Sequence, residues 1–438
     1  MTDRTLPLRR FGLAGAWMVG VVAWWGVARG GDPDILFAND TRLESSRLLE
    51  AVLARNPDLP AQRAAWEAAR ARIAQAGALD DPMLSYTIAP QTLGASGLDF
   101  GHKFRVSQRL PWPGKRALRR DVARFEADAA QEAIAGVRLR LIEETQVAYA
   151  DWYYVHAAIR VNQVNKSLLE EFRDIAQIKY AAGRASKQDA LRAEVEVALL
   201  EHRDVVLERR RAEVRAVLNT LLQRQPDASL PPPGGLLPVT GLPAVESLRA
   251  AALESHPALR VLAERIEGAR RRLALADRDF FPDIQLAVGY NWLWNRTEKR
   301  FTVSAGVPIP LAGKRRAAKD EARAGLIRLG LEQRSQAAEV LGVLQQAYDR
   351  VRESMHAITL YRERLLPLAE ETLAAAKSDY EAGSGDFLAL ITAEKNLMVT
   401  QLQLETARAD YHRHRARLAR VAGGTPVLAG VGEKEVSP

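Results

Sequence analysis

Cysteine is absent from all 438 residues, which excludes disulfides, Cys-ligated zinc, a thiol nucleophile and a lipidated N-terminal cysteine. Aromatic residues make up only 6%, and long tracts are filled instead by Ala, Leu, Arg, Glu and Gln, a composition that favours extended helices. Beyond residue 28 no apolar run is long enough to cross a bilayer as a helix. Seven His and five Met form no His-x-x-His or Met-x-x-Met pattern, so neither a metal site nor a cofactor is expected. His412 and His414 stand two apart on a helical tract, fall on different faces and read as solvated. No nucleophile and base stand at a recognisable spacing, so an enzyme is not expected.

Charge of one sign is also not concentrated anywhere. The net charge is +8, but the basic residues are interspersed with Glu and Asp, which describes a solvated helix surface and not a nucleic-acid platform. At the amino terminus Arg9-Arg10 precede an apolar run, Phe11 to Ala28, that ends small-x-small at Gly26-Val27-Ala28. Residues 1–28 read as a secretory signal peptide, with a retained inner-membrane anchor as the alternative.

What the chain does contain is a repeat. Asn56-Pro57 answers His256-Pro257, Tyr180-x-Ala-Gly183 answers Tyr380-x-Ala-Gly383, and Ala193-Glu194 answers Ala393-Glu394, each at an offset of 200. Gly114-Lys115-Arg116 and Ala148-Tyr149 recur at an offset of 199, as Gly313-Lys314-Arg315 and Ala347-Tyr348. One unit has been duplicated. The first repeat covers 29–225 and the second 244–422; a Pro- and Gly-rich linker, 226–243, joins them, and 423–438 forms a flexible tail.

Each unit reads as helix, two strands, very long helix, tight turn, long helix. In the second unit Ile284, Leu286, Val288, Tyr290, Trp292 and Trp294 alternate with smaller or polar residues, the period of a strand with one apolar face. Strands are predicted at about 83–90, 102–110, 283–294 and 299–308. Their length, one-sided apolarity and terminal Trp pair match the lipid face and aromatic girdle of an outer-membrane barrel. The smallest closed barrels need eight strands, so a chain with four must oligomerise if they span.

Helices are predicted at about 114–181, 187–223, 313–382 and 386–422. The first, at 1.5 Å per residue, is roughly 100 Å long. Leu344, Val351, Ile358 and Leu365 recur every seven residues, with Ala347, Ser354, Tyr361 and Leu368 between them, a coiled-coil seam. Pro367 and its counterpart Ser167, the latter in a Ser-x-x-Glu pattern with Glu170, predict a break or bend in each long helix. The phrases holding Pro111, Pro113 and Gly114, and Pro308, Pro310 and Gly313, punctuate strand-to-helix turns, with Lys-Arg placing charge at the membrane edge. A phosphate loop is excluded, because Lys115 and Lys314 are followed by Arg instead of Ser or Thr and the first glycine of a Gly-x-x-x-x-Gly-Lys pattern is missing before each Gly-Lys pair.

In order and spacing these features resemble the TolC-type outer-membrane efflux channels, most closely in wording the heavy-metal-efflux branch. The resemblance implies an α-helical barrel joined to a transmembrane β-barrel: a homotrimer closing twelve strands, four per chain, in outer-membrane lipid and continued by a periplasmic helical tunnel. It implies docking on a periplasmic adaptor (membrane fusion protein) and an inner-membrane pump of the resistance-nodulation-division class, with heavy-metal cations as cargo. A drug or small-solute channel and a periplasmic coiled-coil adaptor are the alternatives. Gly183, Arg184 and Ala185, with Gly383, Ser384 and Gly385, are implied as adaptor-docking tips. Asp189 matches the family's first-unit gate carboxylate; the second unit's paired aspartates and gating Arg correspond to Ala389, Thr392 and Gly385, leaving Asp386 as substitute. Without cysteine the mature chain is expected to be unlipidated.

Overall fold

The computed structural model describes residues 36–37, 40–88, 102–292, 301–309 and 311–424. The signal peptide, Trp294, Pro310 and most of the tail lie outside the described residues. The first unit comprises α1 (Ser45–Arg55), α2 (Asp58–Gly77), β1 (Met83–Ile88), β2 (His102–Leu110), α3 (Lys115–Ala181) and α4 (Lys187–Leu221). The second repeats the order as α5 (Val245–Ser255), α6 (Pro257–Arg278), β3 (Ile284–Trp292), β4 (Phe301–Gly306), α7 (Ala312–Leu360), a π-helical turn (Tyr361–Leu365), α8 (Leu366–Ala382) and α9 (Phe387–Val421). No described helix is long and apolar enough to cross a membrane.

The four strands form one antiparallel sheet in chain order, β1-β2-β3-β4. The central β2–β3 pairing joins the two units. Three buried clusters hold the helices together. One surrounds Phe172, Phe387 and Leu390 where α3, α4, α8 and α9 approach their turns. The other two are repeats of each other, around Leu48, Tyr149 and Leu218 and around Leu248, Leu344 and Leu418. The linker is strapped to the first of these by Trp152 Nε1, which donates to Pro231 O at 3.0 Å, and by the Tyr149 hydroxyl, whose single proton lies between Gly235 O and Leu43 O, each 2.9 Å from Oη.

Two expectations for the long helices require correction. The first-unit helix is unbroken from Lys115 to Ala181; Ser167 does not cap but donates its hydroxyl to Gln163 O at 3.2 Å, a bond an uninterrupted helix can hold. In the second unit the interruption is the π-helical turn, and Pro367 sits in the first turn of the helix after it, where its missing N–H is harmless. Leu344, Ala347, Val351, Ser354 and Ile358 are buried, but Leu368 is exposed and burial resumes at Leu373 and Tyr380. The seam has moved by one residue, which is what a single residue inserted as a π-bulge does to a seven-residue repeat. Tyr149 and Tyr180 are 31 residues apart and Tyr348 and Tyr380 are 32; the π-helical turn accommodates the extra one.

Candidate channel site: sheet face, turns and helical tips

Cross-strand register assembles the apolar positions into rows. Leu84, Val106, Val288 and Val303 stand side by side, as do Tyr86, Phe104, Tyr290 and Phe301, with Gln108, Leu286 and Ala305 on the same face. In the first row the exposures are 72, 49, 44 and 71%, and Leu286 and Tyr290 are exposed as well, while Ile284 is half-buried. The opposite face carries Ser85, Arg105, Gly289 and Thr302, and beyond them Thr87, Lys103 and Asn291. A broad apolar surface left uncovered on a sheet whose other side is polar inverts the arrangement of a water-soluble sheet packed on helices. Trp292 closes β3, opposite His102.

The strand-to-helix turns differ between the units. In the first, β2 stops just before Pro111, and Gly114, at φ +90°, is the residue preceding α3. Lys115 does not place its charge at a membrane edge: only 2% exposed, its ammonium donates to Asp283 Oδ1 at 2.8 Å and Phe281 O at 2.7 Å and lies 3.2 Å from Asp279 Oδ1. Arg109 Nη2 and the Trp112 N–H reach the same Asp283 carboxylate, at 2.7 and 3.1 Å. Trp112 stacks on Phe281 at 5.3 Å between ring centroids. Burial alone would push the Asp283 carboxyl up, but the bonds from Lys115, Trp112 and Arg109 outweigh it and hold the group at about 2. The phrase is thus a latch between the units. In the second unit β4 ends at Gly306, before Pro308, and Gly313 lies inside α7 and not at a left-handed turn, because the extended residue Leu311 already makes the bend.

At the far end, Gly183 and Gly383 adopt φ +69° and +82°, closing both long helices. Arg184 and Ser384 are exposed, and Ala185 is half-buried. Gly385 tolerates no side chain: a Cβ there would stand 2.8 Å from Asp379 Cβ and 2.9 Å from Tyr380 N, so the tip itself demands glycine. Asp189 has a local role, since its backbone N–H donates to Ser186 Oγ and its carboxylate accepts from the Ser186 N–H, both at 3.2 Å, a capping box at the start of α4. Asp386 precedes α9 without a side-chain cap. The buried hydroxyl of Tyr380 has no partner; its pKa is raised by burial first, then by the charges of Asp189 and Asp386. Asp189→Ala is expected to cost about 1 kcal/mol and to speed hydrogen exchange in the first turn of α4, leaving α9 unaffected.

Pattern reading missed Glu394, which lies deep in the helical bundle and is 0% exposed, with neither carboxylate oxygen partnered. Burial, and then Glu196, push its pKa up to about 7 against a smaller lowering by Lys395. Its repeat counterpart Glu194 is exposed, so only the packing distinguishes the two. A carboxyl whose folded pKa is raised loses stability as pH climbs from its unfolded value near 4.5 to about 7. Glu394→Gln imitates the neutral acid, so its melting temperature is expected to match the parent's at pH 4 and exceed it at pH 8, a gain of roughly 3 kcal/mol. Equal melting at both pH values would show that the carboxyl ionises freely. His412 and His414 are not solvated but half-buried. His412 Nε2 lies 3.1 Å from Leu237 O, with its pKa lowered to about 4 by burial and Arg415, and His414 Nδ1 is 3.0 Å from Ser354 Oγ. No group of three or more His, Asp or Glu that could hold a metal ion occurs among the described residues.

Comparison with known proteins agrees with this geometry. The nodulation protein T of Rhizobium leguminosarum bv. trifolii is 25% identical over 90% of this chain and 85% of its own length. The toluene efflux pump outer membrane protein TtgI of Pseudomonas putida is 22% identical over 68% of this chain and 65% of its own. The outer membrane protein VceC of Vibrio cholerae has the same fold, with a TM-score of 0.74 at 18% identity, over 87% of this chain and 96% of that one. A family model described as outer membrane efflux protein matches residues 48–223 and 248–424, one stretch in each repeat. With both repeats matched and the fold shared, this chain belongs to the outer membrane efflux protein family, whose members are channels and not enzymes.

Proposed function

We propose that the chain is the outer-membrane exit duct of a tripartite exporter: three copies close their sheets into a twelve-stranded barrel, and their helices continue as a tunnel through the periplasm. The observation that carries this reading is the sheet, apolar and exposed on one face, with β1 and β4 each paired on one side only among the described residues. In hydrocarbon an open edge leaves backbone donors and acceptors without partners, so a four-stranded sheet is acceptable there only when copies join edge to edge. α3, roughly 100 Å long, then supplies the periplasmic span.

In this reading the signal peptide, residues 1–28, directs export, and the absence of cysteine leaves the mature chain unlipidated. The tips at Gly183–Ala185 and Gly383–Gly385 dock on a periplasmic adaptor, which couples the duct to a resistance-nodulation-division pump. Asp189 and Asp386, whose charges both act on Tyr380, form the gate. Heavy-metal cations are the cargo favoured by the Pro-Trp-Pro-Gly-Lys-Arg phrase. Small organic solutes are the second reading, favoured by the name of the toluene-efflux relative. The duct is passive in either case, and the pump selects.

The test is mass and fractionation together. Expressed whole in a Gram-negative host, the protein is expected in outer membranes as a heat-sensitive species of three chains. A soluble monomer or dimer in the periplasm would overturn the channel reading in favour of a coiled-coil adaptor.

A further inference from the structure

Within one chain the two units meet along α3 and α9, and this contact contains a three-residue charge cluster. Arg413 Nε donates to Asp151 Oδ1 at 2.8 Å, and Arg413 Nη1 pairs with Asp410 of its own helix at 2.5 Å. The repeat supplies a counterpart for each: Asp151 corresponds to Arg350 at the offset of 199 that holds before the π-helical turn, and Arg413 and Asp410 correspond to Glu213 and Arg210 at the offset of 200. All three charges are inverted together. Arg210 and Glu213 already form the helical pair equivalent to Asp410 and Arg413, at 3.3 Å, while Arg350 lies exposed on α7.

The faces bearing these residues are the ones one chain leaves uncovered. α9 lies between two long partners, α3 and α7/α8, whereas α4 packs on α3 along its length and meets α9 towards the tips, where Lys395 pairs with Glu196 and Arg203 reaches Met398. Ile391, Glu394 and Met398 are accordingly buried on α9, while their counterparts Leu191, Glu194 and Ala198 on α4 are exposed. A rotation that carries the first unit onto the second carries the α3–α9 contact onto α7/α8 of one chain and α4 of the next.

We propose that a second copy of this chain docks its α4 on α7/α8 through a charge-inverted replica of the internal contact, with Arg350 bound to Glu213 of the neighbouring chain. The inference rests on the trimeric reading above and adds its pairing. Inversion has a physical use: an α4 face carrying Glu213 is attracted by Arg350 of a neighbour, whereas opposite Asp151 it would be repelled. Each unit thereby rejects the wrong place in the ring.

Because the chain has no cysteine, the double variant Arg350→Cys/Glu213→Cys provides the only thiols for a short bis-maleimide applied to isolated outer membranes. On denaturing gels covalent dimers and trimers are expected to replace most of the monomer. Each single variant should remain monomeric, and Asp151→Cys/Arg413→Cys should cross-link within one chain without change of mass class. An unheated three-chain species whose Arg350→Cys/Glu213→Cys form stays monomeric on denaturing gels overturns the pairing but leaves the trimer. A parent protein extracted as a single chain overturns the trimeric reading, and the pairing with it.

Discussion

Val288→Arg is expected to abolish the heat-sensitive oligomer in outer membranes. Val288 occupies the middle of the exposed apolar face: rows containing Leu286 and Ile284 lie on one side, and those containing Tyr290 and Trp292 on the other. A basic side chain at the bilayer midplane of a barrel costs about 2 to 4 kcal/mol, and threefold symmetry would apply it three times, about 6 to 12 kcal/mol per assembly. That is comparable to the whole unfolding free energy of a typical domain, about 5 to 15 kcal/mol. Gln285→Asn, one residue from Leu286 and on the opposite face, is expected to leave the oligomer intact. Loss of assembly with both variants, or with neither, would remove the assignment of the apolar face to lipid.

The second large effect concerns the latch. Asp283→Ala deprives Lys115, Arg109 and the Trp112 N–H of a common partner. Arg109 is 57% exposed and can turn to water, but Lys115 is 2% exposed and would keep a buried charge with only Asp279 and the Phe281 carbonyl beside it. A loss of about 3 to 5 kcal/mol is expected, measured by thermal melting, with faster hydrogen exchange concentrated at 109–116 and 279–284. The double variant Lys115→Met/Asp283→Leu, which removes both charges and keeps the volume, should recover most of that loss. If it does not, the latch acts through its shape and not its charges. Acid acts in the same direction. Because the folded Asp283 pKa is depressed from 3.8 to about 2, its contribution is complete above pH 4 and disappears as pH falls through 2.

Lys115 also illustrates how far pattern reading reached. Proline, glycine and a basic pair after a strand mark a turn, and the turn is there. What the lysine does depends on Asp279, Phe281 and Asp283, more than 160 residues away in the chain and carried by the other repeat. The π-helical turn is an intermediate case. The one-residue drift between Tyr149/Tyr348 and Tyr180/Tyr380 was visible as an offset changing from 199 to 200, but Pro367 drew attention to the wrong place, and Ser167 to a break that does not exist. Helix interiors absorb an extra residue wherever packing is most permissive, and no local signal marks that position.

The sequence by itself determined the duplication, the period-two strands with one apolar face, the long helices and the two glycine-closed tips. Each of these is written in spacings shorter than a few turns of helix or in a repeat that can be counted. Only the tertiary structure decided that Lys115 is buried and that Glu394 is buried while Glu194 is exposed. Burial and partnership belong to surfaces brought together from distant parts of the chain, and two residues with the same local surroundings acquire different chemistry according to what packs over them.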